Sequence, residues 1–225
     1  MKLTKKKVLV VSLAVCLIAI LSFGTLAWFN ASDEVTNKFM VTDSTDDPDE
    51  IFSVDIYETA VEEDGVTTKD DDNDGVPDIT ETNVYDDIVP EKIYKKDPTV
   101  KNTGKYDQWI RVKVTLNDAA DWTDLFTTKG LELSDVFLGY DETVWSRYDA
   151  PVMDQVADTL TYTFYLDNKL EPGQTVTLFE NVQFPGANFD QFDFARVPEF
   201  ELKLVAEAIQ ADANGSTAVE GFANY

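Results

Sequence analysis

Apolar and polar residues alternate with a period of two in several stretches of the chain. The clearest stretch is 108–116, where Ile110, Val112 and Val114 fall on one side and Arg111 and Lys113 on the other. Similar alternation occurs over 52–56, 160–166 and 200–206. A period of two is typical of a strand with one buried face, so these segments predict half-buried antiparallel strands.

The remaining pattern favours strands over long helices. The segment Gln174 to Phe184 follows a Glu-Pro-Gly turn and is a further candidate strand. Short helices fit 117–126 and 189–195, and no segment has the pattern of a long amphipathic helix. Many short strands separated by Gly, Pro, Asp and Asn predict an all-β fold, an antiparallel two-sheet sandwich of the jelly-roll type.

The first 27 residues have the pattern of a signal peptide. Four lysines precede a largely apolar run from Val8 to Phe23, and Thr25 and Ala27 then form a small-x-small cleavage site. This predicts a signal helix over 1–27 and cleavage between Ala27 and Trp28. An uncleaved anchor is the alternative, because the charge-free stretch 8–30 exceeds the roughly 20 residues that cross a bilayer.

Cleavage would leave a strongly acidic chain without cysteine. The whole chain has 18 basic and 43 acidic residues, and the removed segment contains four lysines and no acid, so the net charge becomes −29. Such a surface repels nucleic acid and anionic lipid and attracts divalent cations. The only cysteine, Cys16, lies in the signal segment, so an ordinary core must hold the exported domain. We expect a sandwich domain over 28–210, with an acidic insertion at about 60–88 and a flexible tail over 211–225.

The acidic insertion contains a calcium-loop motif. Alternate aspartates, a glycine at position 6 and a glutamate at position 12 place oxygens where a calcium loop needs them, with a backbone carbonyl at position 7. The expected ligands are Asp70, Asp72, Asp74, Val76 through its carbonyl, Asp78 and Glu81. Isolated extracellular loops of this kind bind Ca²⁺ with dissociation constants on the order of 10⁻⁴ to 10⁻³ M. A solvated acidic loop without a metal is the alternative.

Few side chains suited to catalysis are present. The chain contains no histidine, so the zinc-protease motif and histidine-based triads are absent, and we expect no enzyme. Trp109, Trp122, Trp145 and Tyr148 leave two interpretations open: they cover sheet faces and edges, or they form an aromatic platform for a polysaccharide.

The block Gly24-Thr25-Leu26-Ala27-Trp28-Phe29-Asn30, with Ser32 to Phe39 after it, resembles the signal peptide and mature N-terminus of the TasA/camelysin family. Weaker likeness continues through 97–106, 110–114, 170–179 and 206–211. The resemblance implies a jelly-roll fold, processing by a SipW-type signal peptidase, and secretion by a Gram-positive bacterium as a fibre subunit of the biofilm matrix. Camelysin is described as a metalloendopeptidase, which keeps a protease as an alternative.

The mature N-terminus fits a strand that could be exchanged between molecules. Trp28, Phe29, Val35, Phe39 and Val41 supply apolar side chains, and the sequence identifies no partner strand for them. The segment could complete the sheet of a neighbour, which gives a homo-polymer or a co-polymer with a related matrix subunit, or it could pair within its own domain. A secreted calcium-dependent module that binds a glycan or a protein remains a further alternative, and membrane contact is expected only through the signal segment before cleavage.

Overall fold

The computed structural model describes residues 30–34, 53–85, 88–147, 149–187, 189–194, 196, 201–212 and 214–223. The strands are β1 (Asn30–Glu34), β2 (Val54–Thr59), β3 (Ile79–Thr80), β4 (Ile93–Lys95), β5 (Thr99–Asn102), β6 (Gln108–Asn117), β7 (Phe137–Leu138), β8 (Trp145–Ser146), β9 (Val152–Asp154), β10 (Thr159–Leu166), β11 (Thr175–Thr177), β12 (Asn181–Gln183) and β13 (Leu202–Gln210). The helices are α1 (Ala119–Lys129), α2 (Leu133–Val136), α3 (Gln191–Phe194) and α4 (Ala218–Ala223).

Within the described residues the strands form three sheets, and every strand pairing is antiparallel. The largest has the order β1-β13-β6-β10-β8, with β9 also paired to β10. The second has the order β11-β5-β2-β3, and the third β4-β12-β7. The prediction of an all-β, antiparallel fold is confirmed at this level.

The centre of the large sheet follows the alternation in the sequence. Val114 of β6 lies opposite Leu204 of β13 and Tyr162 of β10, and all three side chains are buried. Val54 and Ile56 of β2 belong to the same core cluster, so strands of different sheets bury their apolar faces against one another. Removal of this apolar surface from water is the main stabilising contribution.

The segment predicted as one strand over 174–184 is divided between two sheets. β11 pairs with β5, whereas β12 pairs with β4 and β7. Between them Leu178 and Phe179 are consecutive and both buried, which a regular half-exposed strand cannot achieve because neighbouring side chains point to opposite faces. Phe179 stacks on Phe137 with ring centroids 4.5 Å apart.

The C-terminal segment differs from the flexible tail that the sequence predicted. Helix α4 places Ala218 and Phe222 against Trp109 and Ile209, on the face of the large sheet opposite the main core. These two helix residues are four positions apart and therefore share one helix face. Gly221 is favoured at this contact, since an added Cβ would lie 2.7 Å from the backbone oxygen of Asn214. The composition of the tail suggested mobility, but its few apolar residues are spaced to cover the sheet.

None of the helices in the described ranges is long and apolar enough to cross a membrane. The predicted signal helix and the cleavage pair Ala27 and Trp28 lie outside the described residues. The same is true of the other residues predicted for strand exchange, which are Phe29, Val35, Phe39 and Val41.

Candidate calcium site

The acidic loop is closed at its base by backbone hydrogen bonds. The amide of Asp78 donates to the carbonyl of Lys69 at 2.9 Å, and the amide of Lys69 donates to the carbonyl of Ala60 at 2.9 Å. The amide of Ala60 completes the set by donating to the carbonyl of Asp78 at 2.8 Å. The two ends of the loop are thus held together directly after β2.

The loop turns tightly because two residues adopt left-handed backbone conformations. Asn73 has a φ of 57° and Gly75 a φ of 85°. Asparagine tolerates this region better than most residues, and glycine does so without steric cost. Gly75 is the residue that the motif required at position 6.

The turn brings three of the predicted ligands together. One carboxylate oxygen from each of Asp70, Asp72 and Asp74 lies within 4.8 Å of the other two. Backbone amides orient these groups: Gly75 donates to Asp70 Oδ2 at 3.0 Å, and Val76 donates to Asp74 Oδ1 at 2.7 Å. Three hard anionic oxygen donors converging on one point are the chemistry that Ca²⁺ prefers.

The carboxylates of Asp78 and Glu81, two of the other predicted ligands, do not belong to this cluster. The carboxylate of Asp78 accepts a hydrogen bond from the amide of Asp71 at 2.9 Å. Glu81 is half-buried beyond β3. In a calcium loop the residue at position 9 often acts through a water molecule, which is compatible with the placement of Asp78.

The three clustered carboxylates are not neutralised by any positive side chain that the structure describes. In the described part of the chain, no lysine or arginine forms an ion pair with Asp70, Asp72 or Asp74. Mutual repulsion of like charges therefore favours uptake of a cation.

The part of the insertion before the loop is fixed to β4. The amide of Lys95 donates to the carbonyl of Gly65 at 2.9 Å, and Lys92 Nζ donates to the carbonyl of Asp64 at 2.7 Å. The hydroxyl and amide of Thr67 and the amide of Val66 donate to the Asp64 carboxylate, which lowers the pKa of Asp64 to about 2. This aspartate closes a local turn and is not part of the acidic cluster.

The three tryptophans within the described residues do not form an exposed aromatic platform. Trp109, Trp122 and Trp145 are 5%, 1% and 1% exposed. Trp109 packs with α4 in a separate cluster, away from the main core. Tyr148 lies outside the described residues. The interpretation that these tryptophans cover sheet faces and edges accounts for all three.

A buried ion pair between Lys96 and Glu58 was not predicted from the sequence. Lys96 Nζ lies 2.9 Å from Glu58 Oε1, and the two residues are 8% and 2% exposed. The pair was detectable in principle, because Glu58 follows Val54 and Ile56 at the inward positions of β2. A charged residue in a buried register requires a partner, which is the signal that could have identified it.

The N-terminal strand β1 lies at the edge of the large sheet. It pairs with β13 so that Asn30 lies opposite Ile209 and Glu34 lies opposite Val205. In the described residues β1 has no strand on its other side. Residues 35–53 separate it from β2 along the chain.

Comparison of the chain with protein-family models, with characterised proteins and with solved structures gives no match.

Proposed function

We propose that this chain is a secreted structural protein of a bacterial cell surface or biofilm matrix that forms fibres by strand exchange and binds Ca²⁺. The observation that carries the proposal is the position of β1, an edge strand joined to the rest of the domain by a long connection. The resemblance of the N-terminal block to the TasA/camelysin family supports the same conclusion. A two-sheet sandwich of the jelly-roll type, with the third sheet as an elaboration, is part of the proposal.

Strand exchange needs a strand that can make the same contacts within its own molecule and with a neighbouring molecule. β1 contributes backbone pairing over Asn30 to Glu34, and the partner strand β13 presents the same register to a strand from a neighbour. Replacing the intramolecular strand with an intermolecular one leaves the number of hydrogen bonds unchanged. If each molecule donates to the next without closing a ring, the product is a fibre.

The timing of assembly follows from processing. Before cleavage, the signal segment 1–27 tethers β1 to the membrane, and cleavage after Ala27 by a SipW-type peptidase would release Trp28 and the strand behind it. The apolar side chains of Phe29, Val35, Phe39 and Val41 would add contacts beyond the paired backbone. A homo-polymer or a co-polymer with a related subunit satisfies this scheme.

Calcium supports assembly by lowering the charge repulsion between subunits. A net charge of −29 per exported chain opposes close approach of subunits, and bound divalent cations reduce that repulsion. The cluster of Asp70, Asp72 and Asp74 offers one defined position for such an ion.

The test is electron microscopy of the purified chain that begins at Trp28, in millimolar calcium and after chelation. We expect regular fibres in calcium that become fewer or shorter after chelation. A truncated chain that begins at Asp43 lacks β1 and should remain monomeric under both conditions. Fibres formed by this truncated chain would rule out exchange of β1.

A further inference from the structure

A cavity of about 270 Å³ lies beside the buried ion pair. Its walls are mostly aromatic and aliphatic side chains from β6, α1, β7 and β12, among them Leu116, Trp122, Phe126, Phe137, Val182 and Phe184. Trp122 stacks on Phe184 with ring centroids 5.9 Å apart, so the rings form a continuous apolar surface. One end of the cavity is polar and contains Glu58, Tyr85 and Lys96.

The volume and lining limit the size and chemistry of an occupant. An apolar protein cavity of about 150 Å³ accommodates benzene, so a cavity nearly twice as large suits a molecule of one or two fused rings. Ligand sites in proteins are typically concave and mostly apolar, with a few convergent polar groups that fix orientation. This cavity has that composition.

The polar end offers one free hydrogen-bond donor. Lys96 Nζ donates to Glu58 Oε1 at 2.9 Å and to Glu58 Oε2 at 3.0 Å. A lysine ammonium group has three N–H donors; among the described residues Nζ makes no further hydrogen bond to an oxygen, and its other neighbour is the Tyr85 ring, whose centroid lies 5.7 Å away. Because Lys96 is only 8% exposed, this donor is largely withdrawn from water, and leaving it unsatisfied is costly.

The charges around the polar end favour an uncharged acceptor. Glu58 already balances the charge of Lys96, and the Tyr85 hydroxyl, which donates to the Lys95 carbonyl at 2.7 Å, lies 3.4 Å from the second Glu58 oxygen. Glu201 lines the cavity as well, and the whole chain carries a net charge of −25. A carboxylate or sulfonate ligand would meet a negative potential, whereas a neutral carbonyl or hydroxyl oxygen would not.

We propose that this cavity is a binding site for a small uncharged aromatic molecule whose carbonyl or hydroxyl oxygen accepts the third N–H of Lys96. The rings occupy the space beside Trp122 and Phe184, and the oxygen lies at the Glu58–Lys96 end. The proposal is independent of fibre formation and of calcium binding.

The test uses the uncharged naphthyl ketone prodan, whose emission shifts to the blue in apolar surroundings. It is titrated into the chain from Trp28 onward, which contains every residue that the structure describes. We expect a saturable blue shift, together with quenching of tryptophan emission that is reduced in Trp122→Phe. An anionic naphthalene sulfonate should bind at least about tenfold more weakly, because of the negative surroundings.

Two variants connect the signal to the site. Val182→Phe fills the cavity and should abolish saturable binding. Glu58→Gln with Lys96→Met removes the donor without leaving a buried charge unpaired, and should weaken binding about two- to tenfold, the range of one hydrogen bond. Val152→Phe is the matched control, because this valine of β9 is 65% exposed and does not line the cavity.

The proposal is overturned by non-saturable binding to the wild-type chain, or by equal affinity for the ketone and the sulfonate. Unchanged affinity in the Glu58→Gln, Lys96→Met chain also overturns the assignment of Lys96. Circular dichroism establishes that each variant is folded. If Val182→Phe does not fold, the wild-type titration and the double variant decide the question.

Discussion

At the scale of single residues, the acidic cluster gives the most direct prediction. Replacing Asp72 and Asp74 together with asparagine keeps the shape of the loop but removes two of the three clustered anions. Wild-type protein should give a calorimetric binding isotherm with a dissociation constant on the order of 10⁻⁴ to 10⁻³ M, and the double variant should give none. At ten times this constant, calcium should raise the free energy of unfolding by about 1.4 kcal/mol.

The control is Asp71→Asn, which removes one negative charge from the same loop but none from the cluster. The Asp71 carboxylate is not part of the cluster, and the backbone bond from its amide to Asp78 does not depend on its side chain. We expect its calcium affinity to stay within about threefold of wild type, since only a long-range charge is lost. An equal loss in both variants would indicate diffuse cation attraction instead of a defined site.

The buried ion pair allows a second prediction at this scale. Glu58→Gln leaves the ammonium of Lys96 buried without a counter-charge and should lower the free energy of unfolding by about 3–5 kcal/mol. Adding Lys96→Met should restore most of the loss, because an apolar side chain of similar volume does not need a partner. Urea unfolding measures both effects, and the exposed Glu63→Gln serves as the control. A double variant as unstable as the single one would show that packing, and not the unpaired charge, causes the loss.

Individual residues also mark the limit of what the sequence could predict about the site. Spacing was sufficient to place Asp70, Asp72 and Asp74 together, because alternate residues on a tight turn face one point. It was insufficient for Asp78 and Glu81, whose placement depends on hydrogen bonds to the loop base and on β3. The cavity was not predictable at all, since its walls come from strands and a helix that are distant in the sequence.

At the scale of elements, α4 is expected to contribute strongly to stability. Phe222 is 5% exposed, and the Arg111 guanidinium lies 4.3 Å from its ring centroid. Phe222→Ala should lower the free energy of unfolding by about 3–5 kcal/mol and shift the emission of Trp109 to the red, because the sheet face becomes wet. Chemical unfolding and fluorescence measure these changes, with the exposed Ser216→Ala as control. A change below about 1 kcal/mol would mean that α4 is loosely attached, as the composition of the tail suggested.

The stability that the pairing of β6 with β13 provides beneath α4 should depend on pH. Burial opposes ionisation of Glu207, but hydrogen bonds from Lys113 and Arg111 outweigh it and hold the pKa of Glu207 below its ordinary value. Because the pKa is lowered in the folded state, the stabilisation is present above the ordinary carboxyl value of 4.5 and is lost as the pH falls through the lowered value. Glu207→Gln should therefore reduce stability at pH 7 and have a smaller effect below the folded pKa. Urea unfolding at pH 7 and at a pH below the folded pKa measures the difference. A loss of stability in Glu207→Gln that is independent of pH would contradict this origin.

The elements themselves were predictable where one face is buried throughout. β6, β10 and β13 follow the alternation because each lies inside the large sheet and has a neighbour on both sides. The segment 174–184 does not form one regular strand, because the chain leaves one sheet and enters another at Leu178 and Phe179. A period of two identifies a strand but does not identify its partner, so the division into sheets could not be deduced from the sequence.

At the scale of the whole molecule, the register of β1 predicts how subunits would be joined in the proposed fibre. Glu34 lies opposite Val205 in the pairing of β1 with β13. Directly opposite residues of an antiparallel pair have Cα atoms about 4.5–5.5 Å apart, which is within the range of a disulfide. The chain from Trp28 onward has no cysteine, so Glu34→Cys with Val205→Cys creates a single possible bridge per strand pair.

The cross-link distinguishes the two positions of the strand. In monomeric protein, oxidation should close the bridge within one chain and leave the mass on a non-reducing gel unchanged. In fibres formed before oxidation, the same bridge should join neighbouring chains into a ladder that collapses to monomer on reduction. Glu34→Cys alone provides the control, because it can form at most a dimer. Fibres in which the double variant is bridged only within single chains would place β1 permanently in its own domain, and assembly would then need a different surface.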